Sequence, residues 1–472
     1  MMRRMALSCA AIALFGSVAL CPFEVRGQSR WRPGSASRLA ASDLRRITTD
    51  RFETEDGRSI WSAQLPGNHP LATPAVHDGV LYVGGGFGSH EMYAISAANG
   101  RPIWGTRVSD DGPTAALVAD DYVIFNTESC TIFILSRRDG EHLWSKWLGD
   151  PLLSQPAYAG GRIVTAYPGD GGHRVASFEA RDGQLHWDVA VDGEIVTAPV
   201  IHQGTVYFTT YAGTMFALDL DDGAVRWRQS GRVTSAPFVQ GGRIWASLRV
   251  DRRGEGPREG IQAFSTTTGR AILATPLSVR DAPYLDAEVQ ARSQLAGAQS
   301  RQNAGVGFGT PPAAARADLA AALVGQGNVM GMWEYQGSRP VLASFDGGNP
   351  VLVNAMGDSV QALDPVSGQS HWSRGMTLLG SVRRLGGALV TAPAITRGGI
   401  VVGTSSGALV AMDPLSGRTT WSLMVDQPIR YQPAVDRGWI YLGTATGALV
   451  AVDTGNPNLT GWPMWGRHPA HL

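Results

Sequence analysis

From about residue 70 onward the chain is written in short apolar or β-branched runs, each closed by Gly, Asp, Asn or Ser. The stretch from Pro393 shows the layout: Pro393-Ala-Ile, a Gly398-Gly399 turn, Ile400-Val-Val-Gly-Thr, a Ser406-Gly407 turn, Ala408-Leu-Val-Ala-Met-Asp413, a Ser416-Gly417 turn, then Trp421. Runs of about five residues between such turns are strands, since Gly, Asn and Asp take the backbone angles that reverse the chain. Each period therefore predicts four short strands in an up-and-down sheet. The same order returns from Pro433 through Gly438, Trp439 to Thr444, Gly447 and Asp453.

The period is marked by Gly-x-x-x-Trp, found at Gly57/Trp61, Gly100/Trp104, Gly140/Trp144, Gly183/Trp187, Gly223/Trp227, Gly368/Trp372, Gly417/Trp421 and Gly461/Trp465. A further copy, Gly269 to Leu273, lacks the Trp. Units open near Pro74, Pro113, Pro156, Pro199, Pro237, Pro340, Pro393 and Pro433. Four antiparallel strands repeated every 40 to 45 residues or so describe the blade of a propeller, and a closed ring removes the exposed sheet edges that a stack would leave. The expected fold is all-β: an eight-bladed β-propeller of four-stranded antiparallel blades, spanning 51–465. The copy at Gly57/Trp61 precedes the first unit and is expected as an outer strand of the last blade, fastening the ring. Trp462 to Trp465 then becomes a surface tail, or else the closing strand, with 466–472 trailing behind it.

The pattern Gly213-Thr-Met-Phe-Ala-Leu-Asp219, with Gly223 and Trp227, resembles the pyrroloquinoline quinone (PQQ) type propeller repeat. The resemblance covers Gly57 to Trp465 and implies the fold, because Trp and Gly dock neighbouring blades whatever the protein does. Two branches of that family imply different functions. Quinoprotein alcohol dehydrogenases hold PQQ and calcium in the central funnel, use an Asp base and in many members carry two adjacent cysteines. The propeller lipoprotein of the outer-membrane barrel-assembly machinery has the same blades, takes no quinone and serves as a scaffold. Adjacent cysteines and a haem-attachment motif are missing from this sequence. The expectation is a non-catalytic binding or scaffold protein with no cofactor; PQQ with calcium belongs to the alternative, a quinoprotein dehydrogenase.

In such a ring the loops after the second and fourth strands of each blade open on one face, and the irregular segments concentrate there. Candidate contacts for a protein partner or a small ligand are Glu128, Cys130, Gln155, His173, Tyr211, Arg430, Tyr431 and Gln432. Thr197 and Ser235 take related places. Ringed about an axis they would form a polar funnel. Each also has a plainer reading: Glu128 and Arg430 as solvated charges, Cys130 as a small buried hydrophobe, His173 as a loose residue of a Gly-rich turn, and Arg249 to Glu259 as a solvated hairpin tip. The Leu-Asp aspartates are expected to organise their own turns rather than a calcium ion. No catalytic or metal-ligand motif is present: there is no phosphate loop, no nucleophile elbow and no His-Glu-x-x-His.

The largest break in the period places residues 276–339 between blades 5 and 6. Asp286 to Leu295 and Ala313 to Leu323 are rich in helix formers, so a mostly helical insertion is expected, emerging on the funnel face as a lid or docking element. Composition narrows the function classes. The chain has 40 Lys+Arg against 40 Asp+Glu among 472 residues, with 17% charged, so the basic face a nucleic-acid binder needs is not available. Residues 1–27, with Arg3 and Arg4 ahead of the apolar stretch Met5 to Leu20, read as an export signal too short to span a bilayer comfortably. Residues 28–50 follow as a flexible segment. A periplasmic or secreted monomer with no transmembrane segment in the mature chain is expected; attachment through Cys21 is disfavoured by Leu20, where processing expects Gly, Ala or Ser. Cys130 would then be the lone thiol, so stability must come from the core rather than from disulfides.

Overall fold

The computed structural model describes residues 31–471 except 128–130, 150–153, 170–171, 196–197, 211, 232, 234, 253–255, 276–277, 280–339, 346–348, 357–358 and 377–389. Its strands form eight antiparallel sheets following one another along the chain. Blade 1 runs from Ala75–His77 at the axis through Val80–Gly84 and Glu91–Ser96 to Pro102–Val108 outside. The innermost strands of the other seven blades are Leu117–Ala119, Ala157–Ala159, Val200–His202, Phe238–Gln240, Val341–Ala343, Ala394–Thr396 and Ala434–Asp436. Each starts one residue beyond the proline that opens its sequence unit, except Leu117, which lies four beyond Pro113. The apolar clusters sit between neighbouring blades: Tyr82, Met92 and Trp104 of blade 1, for example, pack with Val118, Phe125 and Phe133 of blade 2.

The ring closes as the orphan repeat anticipates. Ser59–Gln64 pairs antiparallel with Ala448–Asp453, Trp61 opposite Ala451, and supplies the outer strand that blade 8 lacks. Residues 31–50, expected as flexible, instead strap the rim. Trp147 N donates to the Arg32 carbonyl at 2.8 Å, Ala36–Arg38 pairs with Thr106–Val108 of blade 1, and Thr48–Glu53 pairs with Ser59–Gln64 of blade 8. Trp31 is held edge-on against Phe178, their centroids 5.1 Å apart, and the Lys146 ammonium lies over its ring. Unpaired outer strand edges explain why a segment of ordinary polarity becomes ordered: it satisfies their hydrogen bonds in three successive blades.

The repeated Trp and Gly dock blade to blade. Trp61, Trp104, Trp144, Trp187, Trp227 and Trp372 each donate their indole N–H to a backbone carbonyl in the next blade, over 2.7 to 3.2 Å. Each ring also covers the turn glycine of that blade. Where Leu273 replaces Trp, Gly368 meets Thr275 instead. At the seam between blades 7 and 8 the Arg58 guanidinium takes the glycine's place, 4.8 Å from the centre of the Trp421 ring.

The aspartates at the ends of the third strands, Leu-Asp219 and its counterpart Met-Asp413, do organise turns. Asp413 accepts from Ser416 N at 2.7 Å and Ser416 Oγ at 2.6 Å, and Asp219 accepts from Asp221 N at 2.8 Å. The Ser416 hydroxyl, more than any other contact, holds the Asp413 carboxyl below its ordinary value of 3.8. A depressed folded value stabilises the native state above the unfolded one and loses that effect as pH falls through the folded one. Asp413→Ala should therefore cost about 1 kcal/mol at pH 7. In urea unfolding followed by circular dichroism, the gap from the parent chain should close progressively below pH 3.8. A gap unchanged at pH 2.5 or so would contradict the assignment.

The long hairpin Arg243–Arg252/Gly256–Ser265 of blade 5 pairs as far as Arg252 opposite Gly256, so within the Arg249 to Glu259 run the described residues 249–252 and 256–259 extend the strands. Ser278 and Val279 add to its edge. The rest of the expected helical insertion lies outside the described residues, as does any lid it would form.

Candidate functional site

Of the sequence candidates, Gln155, Ser235, His173, Arg430, Tyr431 and Gln432 are among the described residues. Glu128, Cys130, Tyr211 and Thr197 lie outside them. Gln155 and Ser235 both precede innermost strands and are buried; Ser235 Oγ accepts from Ser247 N at 2.9 Å and donates to the Ala236 carbonyl, a bond that ties strand to strand. His173 stands in a strand rather than a loose turn, because the hairpin of blade 3 stays paired to Gly169 and Gly172; its ring is partly buried and Nδ1 has no hydrogen-bond partner among the described residues. On the same hairpin Tyr167 is buried against Trp31, and burial first, then the neighbouring Asp188 carboxylate, pushes its phenol up. Arg430 is partly buried, while Tyr431 and Gln432 are buried.

Gln432 leads to what occupies the axis. Its Nε2 donates to the Pro393 carbonyl at 2.8 Å, its own carbonyl accepts from Thr73 Oγ1, and its Oε1 accepts from Gly466 N. Residues 459–471, of which Trp462 to Trp465 were expected as a surface tail or else the closing strand, run up the central channel. Trp462 exchanges two backbone hydrogen bonds with Val435. The Pro463 carbonyl accepts from Val76 N, that of Pro469 from Tyr158 N and that of Ala470 from Ile201 N, over 2.7 to 2.9 Å. These donors belong to the innermost strands of blades 8, 1, 3 and 4. An innermost strand is a sheet edge, and its N–H groups facing the axis need acceptors.

The side chains follow the backbone inward. Trp465 is 5% exposed and packs among Ala72, Ala115 and Ala198, small residues just ahead of three innermost strands. The His471 ring stands edge-on to it at 4.6 Å, and His471 Nδ1 donates to the Pro199 carbonyl at 2.9 Å. His468 Nδ1 instead accepts from Ala470 N, which requires an unprotonated nitrogen there; burial, then the charge of Arg467, lowers its affinity for a proton. A void of about 10 Å³ remains between Val341, Ala392, Pro393, Gln432, Trp462 and Trp465, room for about one water, and the buried Trp462 indole N–H has no partner among the described residues.

That filling bears on the quinone alternative. A tricyclic quinone with calcium needs an open axial slot and several oxygen ligands. Among the described residues the axis is filled by side chains, and no group of three His, Cys, Asp or Glu comes together to hold a metal.

Comparison with known proteins follows the repeat. A family profile described as outer membrane protein assembly factor BamB matches residues 48–146, 130–278, 173–338 and 330–469. The chain belongs to this BamB family. The outer membrane protein assembly factor BamB of Yersinia pestis is 27% identical over 225 residues, which is 43% of this chain and 56% of that protein. The chain thus spans little more than half the length of the curated BamB relative it matches. Among solved structures, BamB of Moraxella catarrhalis superposes with a TM-score of 0.55 at 14% identity, covering 86% of this chain and 98% of that one. A europium-containing methanol dehydrogenase superposes at 0.51 with 13% identity, covering 88% and 95%. At such identities both structures speak for the propeller alone, and the family rests on the profile.

The axial placement of this segment was what the sequence reading missed. Its signal was present: two Trp and two Pro crowd into Trp462 to Pro469.

Proposed function

We propose that this protein is an exported, non-catalytic scaffold of the bacterial cell envelope that takes part in outer membrane protein assembly by binding other proteins. The single observation that carries this reading is the BamB-family match across almost the whole ring, residues 48–469. The curated relatives of Yersinia pestis and Escherichia coli are named as outer membrane protein assembly factors. Their role comes to this chain by family membership. The protein works as a monomer on the periplasmic side without a quinone, and its partners dock on the loop-bearing face around the filled axis rather than within it. Among the described residues no helix is long and apolar enough to cross a membrane.

The test uses the full-length chain in its native host. An affinity-tagged copy should fractionate with the envelope and crosslink to a defined protein partner, and removing the gene should lower the level of folded outer-membrane barrels. The purified protein, given PQQ and calcium, should retain neither quinone absorbance nor dye-linked alcohol oxidation. A cytoplasmic protein, unchanged barrels together with no crosslinked partner, or quinone retained with turnover would each overturn the proposal.

A further inference from the structure

We infer that the central channel is a peptide-binding site of the β-edge type, and that residues 459–471 of this chain are its ligand, bound in cis. Three observations carry this. The segment belongs to no blade: the outer strand of blade 8 is already supplied by Ser59–Gln64, so the ring is complete without it. Its carbonyls take hydrogen bonds from innermost strands of four separate blades, the way an extended peptide is read by a sheet edge. Its side chains join different cores: Trp462 the cluster of blades 5 to 8, Met464 that of blades 1 and 2, Ala470 that of blades 3 and 4.

The ligand class follows from those contacts. It is an extended segment with two tryptophans three residues apart, the second filling the recess between Ala72, Ala115 and Ala198, and with prolines at Pro463 and Pro469 whose carbonyls face the strand edges. Proline suits both places because its missing N–H leaves no donor to be satisfied on the axis. One covalent connection, the exposed turn at 455–458, joins the segment to blade 8. A bound peptide and a structural tail differ in what happens when that connection is cut.

The experiment places a specific protease site in the turn at 455–458 of the full chain. After cleavage, the 459–472 fragment should stay with the ring through gel filtration and exchange slowly for a fluorescein-labelled synthetic peptide of the same sequence. The labelled peptide carrying Trp465→Ala should bind more weakly by at least on the order of 50-fold. A chain ending at residue 458 should fold, bind the labelled peptide and regain the parent's thermal midpoint; if it is insoluble alone, co-expression with the 459–472 peptide should rescue it. The inference is overturned if the ring unfolds on cleavage although the fragment is still present. It is equally overturned if the fragment leaves a folded ring that does not take up the labelled peptide, if Trp465→Ala binds as well as the parent peptide, or if the shortened chain is neither folded alone nor rescued in trans.

Discussion

Trp61→Ala should destabilise the ring by about 3–5 kcal/mol, whereas Trp421→Ala, at the same place in the repeat, should cost about 1 kcal/mol. Trp61 is 2% exposed, donates to the Ala97 carbonyl at 3.0 Å and covers Gly100 of blade 1. It also sits on the strand that closes blade 8, so its loss opens a cavity at the seam and leaves the Ala97 carbonyl without its donor. Trp421 is only half-buried, and the partner across its ring is the flexible Arg58 guanidinium, which water can solvate once the ring is gone. Urea unfolding of the two variants, followed by circular dichroism so that the lost indole does not distort the signal, should give midpoints well apart. Equal midpoints would mean that the seam contributes no more than any other surface contact.

A second large effect is expected from Gly140→Val, about 3 kcal/mol or more, against about 1 kcal/mol for Gly160→Ala. Both glycines have positive φ, +73° and +58°. They differ in surroundings: a Cβ on Gly140 would lie 2.5 Å from Trp104 Cε3 and 2.7 Å from Thr106 Oγ1, while one on Gly160 would meet nothing within 4 Å. Gly160→Ala therefore isolates the backbone cost. Gly140→Val adds displacement of the docked Trp104 indole of blade 1, which also donates to the Arg137 carbonyl of blade 2. Thermal midpoints of the two variants measure the difference directly, and parity between them would remove the interlock from the account of blade docking.

The repeat was open to reading because its signals are local. A turn glycine, an aspartate that binds the backbone two or three residues ahead and a run of β-branched residues act within a few residues of themselves, so strands, blade boundaries and the fastening role of Gly57/Trp61 follow from spacing. Destinations set by long-range contact were another matter. Gly461 to Trp465 carries the spelling of the docking repeat, yet the strand position it would fill is already held by Ser59–Gln64, and Trp465 goes to the axis instead. The 31–50 segment has no strong strand pattern of its own and is ordered by unpaired edges at the rim. Gln155, Tyr431 and Gln432 were noticed for their polarity and place in the loops; burial turns them inward, and for Gln432 the partners are residues 34 and 39 positions away.

The order of apolar runs, turn residues and tryptophans was enough to specify eight four-stranded blades, because that information is spent within each blade and its neighbour. What fills the middle could emerge only once the ring had closed. Closure brings four inner edges, from blades far apart in the chain, around one line, and their outstanding hydrogen bonds and apolar recess select the segment that lies within reach.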